Sequence, residues 1–310
     1  MSCVAADIGG TNSRFAVIVD GQARVHDYAN AGFADFYQLF ASFLEQAGLR
    51  GASIEKIVLA LPAPVSAGPV RLTNIDWEVD GGRLQEQFDL PEPLLVNDFQ
   101  AAATGALASA QLRSLKPEVR REDSGAAVVT GAGTGLGLAW VADASADVLP
   151  RATEGGHADF APSDAQQREL HARLQQRHGH VSWERLLSGD GLCVIHAFLH
   201  GDAQKHSAAE IARAAEQGEP HARDAVRLFV RLFGAYAGNL ALQFNPSAGV
   251  YLCGGVVAHL ADWFGEDFLE AFHNKGRMRH MVEQVPIFLA DTADLGLQGA
   301  IRIAQSMTGQ

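Results

Sequence analysis

Lysine is scarce in this 310-residue chain: Lys56, Lys116, Lys205 and Lys275 are its four examples, and none follows a glycine. That excludes a P-loop, whose GxxxxGK[ST] spacing needs a lysine directly after its last glycine. Cysteine is scarce too. Cys3, Cys193 and Cys253 are three in number and far apart, which suits a reduced, cytoplasmic chain better than a disulfide framework or a structural zinc knot. Basic charge is outweighed, with 24 Lys and Arg against 36 Asp and Glu and a formal net charge of -12. Little is left to neutralise the phosphates of a nucleic acid, so no nucleic-acid partner is expected. A nucleotide held by backbone amides and a metal ion remains compatible with that balance.

Long apolar runs are missing as well. The start, MSCVAADIGG, lacks the basic flank and apolar segment of a secretory signal. The stretch from Leu228 to Phe244 is broken by Arg231, Asn239 and Gln243, so no segment reads as the ~20 apolar residues of a membrane span and no membrane partner is expected.

What is present is an ordinary globular composition, 47% hydrophobic and 19% charged, on a chain longer than one core usually serves, which predicts two lobes. Residues 4–8 and 14–19 are apolar or alternating runs around a Gly-Gly turn, and Asp20-Gly21 predicts a tight hairpin into residues 22–28. Phe36, Leu39, Phe40, Phe43 and Leu44 recur at helical spacing and stop at Gly48. IVLALP (57–62) and LLVND (94–98) read as buried strands, with a loop, TNIDWEVDGG, between them. A second strand-turn-strand at 126–143 and a third glycine turn in GVYLCGGVVAHL (249–260) resemble the first unit, a weak internal repeat. The stretch from Ala165 to Phe244 is mostly helical by period and ends at Asn245-Pro246. The class is therefore α/β with two related lobes.

Four places could carry chemistry. Gly9-Gly10-Thr11-Asn12 and Gly131 to Gly137 can each form a concave nest of amides for an anion, or can be ordinary hairpins. Asp7 beside the first turn makes sense if a magnesium ion bridges carboxylate and phosphate. The Gly9 turn does not fit the GxGxxG dinucleotide spacing. Asn97-Asp98 follows a strand, where α/β sheets collect ligands, and Asp98 is equally a good helix cap. In TEGGHADFAP, Glu154 and His157 flank two glycines that make a helix improbable, so the pair either converges on a small polar ligand or is a loop histidine with its neighbour. Glu184 stands in an expected helical start, where the helix dipole alone explains an acid. His171, His178 and His180 read as a polar helical face.

Together, ADIGGTNSRFAV, LVNDFQAAA, GAGTGLG, EGGHADFAP, GHVSWERLLSGDGL and LCGGVV resemble, in order and over nearly the whole chain, the bacterial glucokinases of the sugar kinase, actin and heat-shock chaperone superfamily. The resemblance implies a two-lobed, ribonuclease H-like α/β fold with a nucleotide and sugar cleft. Residues 1–107 with 291–310 would form the smaller lobe and 108–290 the larger. It implies transfer of the ATP γ-phosphate to the 6-hydroxyl of D-glucose, with ATP and Mg2+ bound and a homodimer as the assembly. By position, Asp98 is the expected general base, and Asn97, Glu154, His157 and Glu184 are the remaining sugar contacts. Asp7 is the expected magnesium-side carboxylate. Ala6, Asp7, Ile8, Gly9, Gly10, Thr11 and Asn12, with Gly133, Thr134 and Gly135, would receive the phosphates, and Gly254-Gly255 would pass beside the adenosine. Two departures stand out. The cysteine-rich zinc motif and leading DNA-binding helices of related sugar-responsive repressors are not found, and Asp190 stands where the family more often has proline.

Two other readings compete. A kinase for another hexose keeps the same residues. An actin-like or chaperone-type ATPase has no use for the acidic and amide set that suits a neutral polyhydroxyl substrate.

Overall fold

In the computed structural model of the chain, residues 2–49, 54–65, 68–201, 206–290, 292 and 294–306 are described. The chain divides into two compact units, one drawn from Met1–Ala108, Asp147–Ala152 and Asp294–Gln310, the other from Ser109–Ala146 and Thr153–Ala293. Residue 291, where the chain was expected to return to the smaller lobe, lies outside the described residues.

The first unit begins with the hairpin of β1 (Ser2–Ile8) and β2 (Asn12–Val19), extended by β3 (Gln22–Ala29). Asp20 and Gly21 both have positive φ, 50° and 79°, the backbone that matches the twist of hairpin strands and that Asp-Gly adopts at low cost. The helix α1 (Phe36–Gln46) starts at Asp35, whose carboxylate accepts from the Gln38 N–H, and buries Phe36, Leu39, Phe40, Phe43 and Leu44. Phe15 of β2 stacks on Phe43 with centroids 4.5 Å apart; each buried ring contributes roughly 1.5–3 kcal/mol.

After β4 (Ile54–Leu61), the segment 73–82 departs from the loop expected of it. It joins a small ribbon, β5 (Val70–Arg71) with β6 (Glu78–Val79), and opens α2 (Gly81–Phe88). Two glycines disguised that helix start, but Asp80 caps it by accepting from the N–H groups of Gly82 at 2.8 Å and Arg83 at 3.3 Å. Strand β7 (Leu94–Asn97) then runs directly into α3 (Asp98–Ala108). The sheet order is β3-β2-β1-β4-β7. Strands β1, β4 and β7 are parallel, with Asp7 opposite Ala60 and Asn97 opposite Leu61. Asp7 and Asn97 therefore share the carboxyl edge of the sheet, one strand apart.

The second unit holds β8 (Arg113–Ser114), β9 (Ala127–Ala132) and β10 (Leu136–Val141), after which β11 (Arg151–Thr153) carries the chain between the two sets of residues. A helical stretch follows as expected: α4 (Ala165–His178), α5 (Gly189–His200), α6 (Ala208–Glu216) and α7 (Pro220–Phe244). Asn245, in the left-handed conformation, ends it. The unit closes with β12 (Gly249–Cys253), α8 (Gly255–His259), α9 (Glu266–His273), α10 (Arg279–Val282) and β13 (Ile287–Leu289). Among the described residues α7 is long and apolar enough to cross a membrane, with mean hydropathy 1.2 over its best window, yet 72% of that window is buried inside the protein. Its apolar face is used up by the core.

The chain returns to the first unit as α11 (Leu295–Ser306), which packs along α3 and β1. Both units repeat one plan. A glycine-turn hairpin, β1-β2 or β9-β10, pairs its first strand in parallel with a later strand, β4 or β12, and that strand pairs in parallel with a further one, β7 or β13. The internal repeat legible as glycine turns is thus a repeat of topology.

Candidate active site

In the first unit Asp7 is the penultimate residue of β1, directly opposite Arg14 in β2. Arg14 is engaged by two other acids, Asp27 at 3.0 Å and Asp294 in closer contact. Asp7 is pushed up to about 6, first by burial, then by the charge of Asp98, with Arg14 opposing and Asp294 adding to the rise. Helix α11 lies hard against it: a Cβ on Gly296 would come within 2.5 Å of Asp7 Oδ2. Ala6 and Ile8, on either side of Asp7, are fully buried in the core, so only their backbone is available to a ligand.

The turn that follows is tightly drawn. Gly9 N–H donates to the Asn12 carbonyl at 2.9 Å, which spends that amide inside the turn. The amides of Gly10 and Thr11 have no acceptor among the described residues. A Cβ on Gly10 would meet the Cβ of Asn74 at 2.7 Å, so the second glycine is needed for close approach. Thr11 and Asn12 are exposed.

At the end of β7 the roles of Asn97 and Asp98 separate. Asn97 Oδ1 accepts from Phe99 N–H at 3.0 Å and from Gln100 N–H at 3.2 Å, and its Nδ2 donates to the Ala63 carbonyl at 3.2 Å. Asn97 is therefore the cap of α3 and is tied to the end of β4. Asp98 Oδ1 accepts from its neighbour Phe99 N–H at 2.7 Å. Capping, one of two roles open to Asp98 in the sequence, falls mainly to Asn97.

In the second unit the turn between β9 and β10 is closed by Gly133 N–H donating to the Gly135 carbonyl at 2.9 Å, and Gly189 N–H donates to the Gly133 carbonyl at 2.9 Å. Thr134 is exposed at its tip. Beside it, Gly254 has φ of 96°, and a Cβ there would lie 2.5 Å from the Ala132 carbonyl oxygen. Glycine is required on both counts. The register Cys253 opposite Gly131 places the Gly254-Gly255 turn next to the Gly133 to Gly135 turn at one carboxyl edge.

Glu154, His157 and Glu184 come together in this unit. His157 Nε2 lies 3.8 Å from Glu154 Oε2, and its Nδ1 lies 3.7 Å from Glu184 Oε1. Glu154 and His157 are open, 73% and 56% exposed, whereas Glu184 is 30% exposed and held, because its Oε2 accepts from the Leu136 N–H at 2.9 Å. Contrary to expectation, Gly155-Gly156 do form a helical turn, the 3-10 turn Gly155–His157. They fit because β10 passes so close: a Cβ on Gly156 would lie 2.1 Å from the Leu136 carbonyl oxygen. Glu184 stands in a second 3-10 turn, Trp183–Arg185. Ser188 steadies it by donating to the Glu184 carbonyl at 2.9 Å and capping α5 through Gly191 N–H at 3.1 Å. Asp190 occupies the first turn of α5, where an acid suits the helix dipole as well as proline suits the backbone. His180 has left the helical face and pairs with Asp159 at 2.7 Å.

The sequence profile of the glucokinase family matches residues 4–307. The chain belongs to the glucokinase family. Among its relatives, the glucokinase of Chromohalobacter salexigens is 35% identical over 304 residues, covering 95% of this chain and 94% of its own. The glucokinase of Marinobacter nauticus is 34% identical over 309 residues, with 95% and 94% covered. The solved glucokinase of an Antarctic psychrotroph superposes with a TM-score of 0.83 at 28% identity, over 98% of this chain and 99% of that one. The fold class expected from the motifs, the α/β sugar kinase and actin-like fold, is the fold of this glucokinase-family chain.

Reading residues one at a time missed those that hold the candidate site residues of this glucokinase-family chain in place. Leu136, Ser188, Arg14 and Ser13 lie inside the quoted motifs with no role of their own to be read there, and Asn30 lies in none of them. The one usable signal was Ser188 ahead of Gly189-Asp190-Gly191, a helix-cap pattern.

Proposed function

We propose that this glucokinase-family chain transfers the γ-phosphate of ATP to the 6-hydroxyl of D-glucose. Asp98 takes the hydroxyl proton as the hydroxyl oxygen bonds to the γ-phosphorus. The bond from that phosphorus to the bridging oxygen breaks, and its electron pair leaves with ADP. Glu154, His157 and Glu184 bind sugar hydroxyls, and Asn97 holds Asp98 while offering its second amide proton to the sugar. The amides of Gly10 and Thr11, with the Gly133 to Gly135 turn, receive the phosphates, and the Gly254-Gly255 turn lies beside the adenosine.

The observation that carries this reading is the division of labour at the end of β7. Asn97 caps α3, so Asp98 stands at the carboxyl edge of the sheet near enough to Asp7 to raise its proton affinity. A divalent cation fits that surplus of negative charge. Among the described residues no group of three or more His, Cys, Asp or Glu is assembled to hold a metal; Asp7 is the carboxylate that would hold Mg2+ on the nucleotide side. When bound, it neutralises charge on the phosphates.

Cys3, Cys193 and Cys253 are free thiols, which supports a cytoplasmic enzyme. A homodimer, implied by the family, is checked by light scattering. The function itself is tested by a coupled assay over glucose, mannose, glucosamine and fructose with ATP and Mg2+. Glucose is expected to give the highest kcat/KM, and ATP hydrolysis indifferent to sugar would overturn the proposal.

A further inference from the structure

Behind the Gly9 to Asn12 turn, on β3's exit, lies a buried amide that neither the motifs nor the proposed chemistry uses. Asn30 is 1% exposed and Ser13 is 0% exposed. Asn30 grips the turn twice, its backbone N–H donating to the Thr11 carbonyl at 2.8 Å and its side-chain Nδ2 donating to the Gly9 carbonyl at 2.8 Å. Its Oδ1 accepts from the Ser13 hydroxyl at 2.7 Å. The carbonyl can only accept, so the amide nitrogen must face Gly9, and the Ser13 hydroxyl then locks the oxygen on the other side.

The peptide plane gives this grip a direction. In a trans peptide the C=O of one residue and the N–H of the next point opposite ways, and the plane is rigid. Drawing the Gly9 C=O toward Asn30 therefore turns the Gly10 N–H away from it, outward from the turn. That amide has no acceptor within the protein among the described residues. Preorganised donors of this kind bind an anion without reorganising first.

We infer that Asn30, locked by Ser13, is a positioning residue that aims the Gly10 amide at the nucleotide phosphates. The inference rests on the role proposed above for the turn and adds the group that sets its geometry. Asparagine is specifically required. An aspartate would set a carboxylate oxygen against the Gly9 carbonyl, and alanine would leave that carbonyl and the Ser13 hydroxyl without buried partners.

The test compares wild type with Asn30→Ala, Asn30→Asp and Ser13→Ala by steady-state kinetics, by calorimetric binding of ATP and adenosine, and by thermal unfolding. The expected result is a KM for ATP raised about tenfold or more in both Asn30 variants, the size of one lost hydrogen bond with its partner unsatisfied. The KM for glucose and the affinity for adenosine, which carries no phosphate, should stay within about twofold. Ser13→Ala, which lets the amide swing, should raise the KM for ATP about threefold. If the Asn30 variants do not fold, Ser13→Ala decides. Unchanged ATP affinity in a folded variant overturns the inference, as does an equal loss of ATP, adenosine and glucose binding. A wild type that phosphorylates no hexose instead overturns the proposed function, and calorimetric ATP binding by the same variants still decides the role of Asn30.

Discussion

Glu184 accepts a hydrogen bond from the Leu136 amide at 2.9 Å, tying a carboxylate that faces His157 to the first residue after the Gly133 to Gly135 turn. One side chain thus serves two neighbourhoods, the acidic set around His157 and the strand that leaves the glycine turn. Replacements at Glu184 should separate the two. Glu184→Gln keeps an oxygen for Leu136 N–H and loses the charge beside His157, so the KM for glucose should rise about tenfold with the KM for ATP nearly unchanged. Glu184→Ala also releases Leu136 and should raise both. Steady-state kinetics on the pair checks the split.

Asp7 makes the ligand-free protein less stable at neutral pH. Its folded value of about 6 stands above the ordinary 3.8, so between those values the unfolded chain gives up its proton while the folded chain keeps it. Stability is then full below about pH 4, falls as pH rises toward 6, and stays reduced above it. The shift corresponds to a ceiling of about 3 kcal/mol. Asp7→Asn should therefore unfold at higher temperature than wild type at pH 7.5, lose most of that advantage at pH 4.5, and be inactive as a kinase. Scanning calorimetry at the two pH values, beside a kinase assay, tests it.

Gly156 has no room for a side chain, because a Cβ would sit 2.1 Å from the Leu136 carbonyl oxygen. Gly156→Ala must push the Glu154 to His157 turn off β10. The expected cost is about 1–3 kcal/mol of stability, together with a higher KM for glucose from displacement of Glu154 and His157. Chemical denaturation of the variant with and without glucose gives both numbers. Gly265→Ala is the control, since a Cβ there meets nothing within 4 Å.

Local rules explain what the sequence revealed and what it hid. The Asp20-Gly21 hairpin and the Phe36, Leu39, Phe40, Phe43 and Leu44 face are written in consecutive or periodic residues, so both were legible. Helix α2 was hidden because Gly81-Gly82 argue for a turn until Asp80 is seen to cap them. Asn97 and Asp98 are both good caps, and the choice between them depends on Ala63, which holds the Asn97 amide from 34 positions away. The grip of Asn30 on Gly9 and of Glu184 on Leu136 spans 21 and 48 positions. Such partners are chosen by tertiary packing, and no spacing rule reaches them. The candidate site residues were named because six motifs occur together, while the side chains that hold them were found in the structure.

The most direct test of the account is glucose phosphorylation by Asp98→Asn against wild type, with ATP and Mg2+ at saturating sugar. Asn97 caps α3 and stays in place, so the variant should fold and bind glucose. Its kcat should fall about 100-fold or more, the contribution expected of a general base. A folded Asp98→Asn enzyme that keeps more than about a tenth of wild-type turnover would contradict the account.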